Sequence, residues 1–187
     1  MKAGSSSAFF LFHSSYTRSE AKVFSRSASM TVMGLIVRSS GIHAAGVYTT
    51  APIKKGTHVV EYTGPRISRE KADQLYDGYP YTYLFGLDDG VNIIDGNGIA
   101  AFINHSCDAN CETDEIDGHV WIIAVRNIKV GEELSYDYNL YDGDDDPCLC
   151  TCGAKNCRGS MYSEEELERL AKLAKEKNRK EELVEAR

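Results

Sequence analysis

The sequence predicts a mainly β domain with short helices, followed by a C-terminal amphipathic helix. Three observations lead there. From Leu35 the chain runs through seven short segments rich in β-branched and aromatic residues, bounded by Gly, Pro, Asn or Asp. All six cysteines fall between Cys107 and Cys157. From Ser163 onward the apolar residues change to a helical period.

In chain order, the first thirty residues hold nine serines, with Lys2, Arg18, Lys22 and Arg26 against one acid, Glu20. Their apolar run, 8–12, is shorter than the roughly 7–15 residues of a secretory core. Residues 1–32 are therefore expected to be a disordered leader. A serine-rich, arginine-containing, acid-poor stretch is also the composition of an organelle transit peptide, the lesser of the two readings. Strands are expected at 35–38, 46–49, 58–62, 81–87, 91–94, 119–126 and 133–136. One helix is expected at 69–76, with Ser68 as its N-cap and Gly78 just past its end. In the tail, 163–187, Ser163 and Glu166 have capping-box spacing, and Leu167, Leu170, Ala171 and Ala174 recur at i, i+3, i+4 and i+7. That stripe predicts a surface helix packed on the domain.

Charge bounds the partners. The net charge is −7, and residues 31–162 alone hold ten bases against nineteen acids. A body of that sign repels nucleic acid and attracts a basic partner. No apolar run reaches the roughly 18 residues of a membrane span. Cysteines confined to one stretch suit a local metal site in an intracellular protein, cytoplasmic or nuclear, better than a spread of disulfides.

Three motifs carry chemistry. Cys150-Thr-Cys152, followed after four residues by Cys157, is a knuckle of three thiols that wants a fourth soft ligand, and zinc is the usual occupant. Spacing leaves Cys107, Cys111 and Cys148 open as that fourth ligand. Phe102-Ile-Asn104-His105-Ser-Cys107 places a polar pair directly after an apolar run. Gly131-Glu-Glu-Leu-Ser-Tyr136-Asp-Tyr138 would put two phenols on one face of a strand.

Together, and with Ile42-His-Ala-Ala-Gly46-Val-Tyr48 and Glu61-Tyr-Thr-Gly64 upstream, these runs resemble the SET-domain protein-lysine methyltransferases that carry a post-SET zinc knuckle. The resemblance implies a knot-like β fold over 33–141, a knuckle over 142–162 and S-adenosylmethionine as the methyl donor. It implies His43, the backbone at Ala45 and Gly46, Tyr83, Asn104 and His105 as cofactor contacts. Tyr138 matches the catalytic tyrosine and Tyr136 the product-specificity position, with Tyr83 as a third phenol of the lysine channel. Cys107 matches the ligand that completes one structural zinc with Cys150, Cys152 and Cys157, leaving Cys111 and Cys148 spare. The substrate implied is a lysine in a basic protein or peptide such as a histone-like tail, and the hydroxyl at Tyr136 favours mono- or dimethylation. Neither nucleic-acid nor membrane binding is expected.

The chain also departs from the family pattern. Ala44 stands at the first glycine of Gly-x-Gly, Ala101 at a usual arginine and Ala109 at a frequent proline. The competing expectation is thus a non-catalytic module of the same fold that holds lysine-rich tails. Two acidic runs, Glu112, Asp114, Glu115 and Asp117, then Asp142, Asp144, Asp145 and Asp146, are expected beside the lysine channel, where they would draw in a basic peptide.

Overall fold

The computed structural model describes residues 8–9, 31–32, 34–77, 79, 82–141 and 147–185. Its strands, in chain order, are β1 (Ala8–Phe9), β2 (Thr31–Val32), β3 (Leu35–Ser39), β4 (Ala45–Thr49), β5 (His58–Glu61) and β6 (Arg66–Ser68). They continue as β7 (Leu84–Gly86), β8 (Asn92–Asp95), β9 (Asn104–His105), β10 (Cys111–Ile116), β11 (His119–Ala124) and β12 (Ser135–Tyr136). Helix α1 spans Arg69–Tyr76, a 3-10 turn spans Ile99–Phe102, and α2 spans Glu164–Glu185. The expected mainly β architecture with a C-terminal helix is what the structure has.

Three sheets share the core, in the orders β2-β3-β4, β1-β7-β8-β6 and β5-β11-β10-β12-β9. Phe85, Val47, Val120, Ile122 and Leu134 are fully buried where the sheets meet. The pairing of β12 positions the chemistry. It lies parallel to β10, with Tyr136 opposite Cys111, and parallel to β9, with Ser135 opposite Asn104 and Tyr136 opposite His105. Parallel neighbours cannot be joined by a hairpin, so residues thirty apart in sequence must be brought back beside each other. Asn110 locks that return: its Nδ2 donates to the Glu133 carbonyl at 2.7 Å and its Oδ1 accepts from Ser135 N at 2.9 Å.

Both helices start as expected. Ser68 Oγ accepts from Lys71 N at 3.3 Å, and Ala72 buries the inner face of α1 against Leu84 and Ile93. Gly78 lies outside the described residues. Ser163 Oγ accepts from Glu166 N at 3.1 Å. The expected stripe of α2 is only half used. Leu167 and Leu170 pack on the core, whereas Ala171 and Ala174 are exposed because the helix runs past the edge of the domain.

One expectation changes. The acidic segment Cys111–Ile116 is a strand, hairpin-paired to β11 through Asp117 (φ 50°) and Gly118 (φ 76°). Two successive positive φ values make the turn type that matches strand twist. Most of the expected leader lies outside the described residues; within it, Ala8–Phe9 pairs with β7 and Thr31–Val32 with β3.

Candidate active site and cysteine cluster

The site grows from β9 and β12. His105 is buried on β9, and its Nδ1 accepts from the backbone N–H of Tyr138 at 3.1 Å. That bond leaves the ring proton on Nε2, which points at Cys107 Sγ at 3.3 Å. Burial holds the imidazole below its usual range, in the neutral form that this tautomer needs. Tyr138 is buried, and its hydroxyl donates to the Ile103 carbonyl at 2.9 Å. Its ring lies 4.8 Å from that of the buried Tyr136. Burial pushes both phenols above their ordinary range, so both stay protonated as hydroxyl donors at neutral pH. Phe85, Tyr62 and Phe102 extend this aromatic cluster, and Tyr62 donates to the Tyr83 carbonyl at 2.9 Å.

A cleft of about 260 Å³ opens beside these groups, walled by Ile42, His43, Asn104, His105 and Tyr138 on one side and by Cys150, Thr151 and Cys152 on the other. Behind it stands Glu133. Its Oε1 accepts from Ser40 Oγ at 2.7 Å and from Asn104 Nδ2 at 2.8 Å, while its Oε2 accepts from the Tyr48 hydroxyl at 2.7 Å. Asn104 Nδ2 also donates to the Ala45 carbonyl at 2.9 Å. A Cβ at Gly46 would overlap the Glu133 carboxylate, which is why glycine is needed there. Ala44, the residue before β4, sits in the left-handed region at φ 34°.

The four thiols of Cys107, Cys150, Cys152 and Cys157 gather with all sulfurs within 4.8 Å of one another. Cys107 Sγ lies 3.7 Å from Cys150 Sγ and 4.0 Å from Cys157 Sγ. Zinc–thiolate bonds of about 2.3 Å in a tetrahedron set sulfurs about 3.8 Å apart, so the cluster fits zinc. Backbone N–H groups of Arg158, Cys152 and Gly159 point at the sulfurs of Cys107, Cys150 and Cys157, as thiolates require. At Cys152 burial pushes the thiol up, but hydrogen bonds from the backbone and from the thiols of Cys150 and Cys157 together outweigh it and lower the thiol. Cys111 and Cys148 are buried elsewhere, which closes the choice that spacing left open.

A second, larger groove of about 720 Å³ lies across from the first. Leu87 and Asp88 after β7, Asp137, Asn139, Arg158, Glu164 and Glu165 line it. The segment 137–139 separates the two clefts: Tyr138 faces the small one, while Asp137 and Asn139 face the large one. One short run beyond β12, ending at Asn139 with φ 47°, thus serves both sites.

The family model for the SET domain matches residues 44–139, just over half of the chain. The chain belongs to the SET-domain family. It is 40% identical over 131 residues to the histone-lysine N-methyltransferase trithorax of Drosophila virilis, covering 64% of this chain and 3% of that protein. It is 39% identical over 138 residues to a histone-lysine N-methyltransferase, H3 lysine-4 specific, of Eremothecium gossypii, covering 65% of this chain and 14% of that protein. With histone-lysine N-methyltransferase ATX2 of Arabidopsis thaliana the identity is 36% over 147 residues, covering 72% of this chain and 13% of that protein. The chain thus matches a small fraction of the length of these relatives.

His43, Asn104, His105 and Tyr138 line one cleft, and the ring of Tyr136 lies against that of Tyr138. Ala45 takes part through its carbonyl and Gly46 by making room, both from behind the cleft wall. Tyr83 is 41% exposed and its ring meets that of Phe102 at a tilt of 51°, at the margin of the aromatic cluster rather than inside it. Neither cleft is lined by Glu112, Asp114, Glu115 or Asp117, because β10 carries them to the hairpin; only Glu115 reaches the groove wall, accepting from Asp88 N at 3.1 Å. The second acidic run lies outside the described residues. Sequence reasoning missed Glu133, Arg158, Glu164 and Glu165. Their signal was adjacency to motif residues, since each lies within two positions of one.

Among the described residues, no helix is long and apolar enough to cross a membrane.

Proposed function

We propose that this SET domain is a protein-lysine methyltransferase that uses S-adenosylmethionine and acts on a basic, lysine-containing protein. The carrying observation is the pair of clefts divided by Tyr138, one neutral and partly apolar, the other rimmed by Asp88, Glu164 and Glu165. The smaller cleft suits the cofactor: it offers the amide oxygen of Asn104, the side chain of His43, the His105 region and apolar walls from Ile42 and Met161. The larger groove suits a cationic peptide. S-adenosylmethionine, when bound, supplies a sulfonium methyl that passes to a neutral lysine amine, the C–N bond forming as the C–S bond breaks and S-adenosylhomocysteine leaves.

The chain's residues then do the positioning. Tyr138, held through its hydroxyl on Ile103 and its N–H on His105, places an oxygen where the amine must line up with the methyl. The buried rings of Tyr136 and Tyr62, with Tyr83 at the margin, exclude water, which favours the uncharged amine by desolvation. The proton lost from the lysine goes to solvent. The hydroxyl of Tyr136 limits the room at the amine and favours mono- or dimethylation. One zinc on Cys107, Cys150, Cys152 and Cys157 is structural: it fixes the wall of the small cleft and takes no part in transfer.

The test incubates the chain with labelled S-adenosylmethionine and a panel of basic proteins, histones first. Transfer to a lysine is expected, and Tyr138→Phe should abolish it while keeping cofactor binding. Cofactor binding with no transfer to any protein would overturn the enzymatic reading in favour of a non-catalytic binding module, the reading that strained Ala44 supports.

A further inference from the structure

Strand β7 is buried along its length, so the polar groups of its backbone need partners on both sides. Its register with β8 sets which groups face which side. The Tyr83 carbonyl accepts from Gly96 N at 2.8 Å, and Leu87 N donates to the Asn92 carbonyl at 3.0 Å, on either side of the Phe85–Ile94 pair. Such pairs alternate in an antiparallel ladder, so Tyr83, Phe85 and Leu87 turn their backbone groups to β8. Leu84 and Gly86 turn theirs to the opposite edge.

At Leu84 that edge is taken. Ala8–Phe9 runs antiparallel along β7 with Phe9 opposite Leu84, and it forms the outermost strand of the sheet. Gly86, one ladder step away at about 7 Å, lines the large groove. A peptide extended in the groove and paired at Gly86 therefore reaches Leu84 with its next ladder position, where Phe9 already stands. Between the two, Phe85 sets its ring 6.5 Å from that of Tyr136, so this stretch of edge runs beside the aromatic cluster. Charge favours the same occupant. Residues 1–30 carry Lys2, Arg18, Lys22 and Arg26 against Glu20 alone, and the groove carries Asp88, Glu164 and Glu165.

Resting on the reading of the large groove as the seat of the substrate, we propose that Ala8–Phe9 is an autoinhibitory strand. It holds the Leu84 position on the edge of β7, and a basic peptide must displace it to bind. The apparent affinity for the peptide is then the intrinsic one reduced by the fraction of chains whose edge is free. The small cleft lies across Tyr138 from this edge, so S-adenosylmethionine does not compete with the strand.

The test measures, by fluorescence anisotropy, the binding of a labelled histone-tail peptide to the full chain and to two variants. In Phe9→Pro the residue that faces Leu84 loses its N–H, a donor to the ladder. In Ala8→Pro the lost N–H points away from β7, where an edge strand tolerates proline. Phe9→Pro is expected to bind the peptide about 3- to 10-fold more tightly than the unaltered chain, the worth of a ladder hydrogen bond, with its affinity for S-adenosylmethionine unchanged. Ala8→Pro should bind the peptide as the unaltered chain does. Hydrogen exchange on the unaltered chain gives a second reading that needs no variant. Saturating peptide should speed exchange at the Phe9 amide while the Leu84 amide stays protected by its new partner. The inference is overturned if Phe9→Pro binds no more tightly, if both prolines tighten binding alike, or if the Phe9 amide keeps its protection with the peptide bound. Failure of every chain to bind the peptide would instead overturn the reading of the groove beneath it.

Discussion

Arg158 grips Asp137 with both terminal nitrogens, Nη1 to Oδ2 at 2.6 Å and Nη2 to Oδ1 at 2.8 Å. Arg158 directly follows the last cysteine of the knuckle, and Asp137 directly precedes Tyr138. The pair therefore joins the metal-binding unit to the segment that divides the two clefts. Its side chains are only 18% and 26% exposed, so removing one partner leaves a poorly solvated charge behind. Arg158→Ala is expected to cost about 3 kcal/mol in denaturant unfolding, the low end for breaking a buried pair. Arg158→Lys should fall between, since an ammonium cannot match both carboxylate oxygens. A loss under about 0.5 kcal/mol would place the pair with ordinary surface ion pairs.

Metal content follows from the sulfur geometry. Protein prepared without chelator should carry one zinc per chain by elemental analysis, and Cys150→Ser should lose it. Transfer should then fall about tenfold or more, because Cys150, Thr151 and Cys152 form one wall of the small cleft. Cys111→Ser and Cys148→Ser are the controls: neither thiol is in the cluster, so both variants should keep the metal.

Much of this arrangement was legible in the sequence, and what escaped did so for physical reasons. Strand cores such as Val47 and Ile122 announce themselves through alternation and β-branching, and Ser68 and Ser163 announce helix starts. Strand β10 did not, because Glu112, Asp114 and Glu115 mask its alternation with charge. The Asp117-Gly118 pair, a hairpin signal in its own right, was the available clue. Spacing alone showed three ligands of the cysteine cluster; the fourth came only from the family resemblance, which named Cys107, because folding is what brings Cys107 to Cys150 across 43 positions. Glu133 escaped for the same reason: all three of its donors come from distant segments. The half-used stripe of α2 shows the converse limit, since periodicity cannot tell where a supporting surface stops.

Ala44 offers a change that should help the protein. Its φ of 34° lies in the left-handed region, where a Cβ costs about 1–2 kcal/mol. Ala44→Gly removes that strain, offset by about 0.4–1 kcal/mol of extra freedom in the unfolded chain. A net gain of up to about 1.6 kcal/mol is expected from the denaturation midpoint. Cofactor affinity should hold or improve, because Ala44 directly precedes the Ala45 carbonyl that helps to hold Asn104. A destabilised Ala44→Gly chain would mean that the methyl makes a contact worth more than the strain.

The larger groove sets a salt dependence. Of its acids, Asp137 is already matched by Arg158, so the exposed Glu164 and Glu165 at the start of α2 and Asp88 after β7 dominate its field. Exposed charges are screened over about 10 Å at 0.1 M salt and about 3 Å at 1 M. The KM for a basic peptide should therefore climb as salt is added, while the affinity for S-adenosylmethionine, seated in the smaller cleft, changes less. Neutralising both glutamates as Glu164→Gln with Glu165→Gln should raise KM at low salt and flatten its climb, with kcat nearly unchanged because neither carboxylate reaches the aromatic cluster. Glu112→Gln with Asp114→Asn, on the hairpin outside both clefts, is the matched control of equal charge. If the control shifts KM as far as the groove variant does, the attraction comes from net charge alone. If only the groove variant shifts it, the substrate lands between β7 and α2.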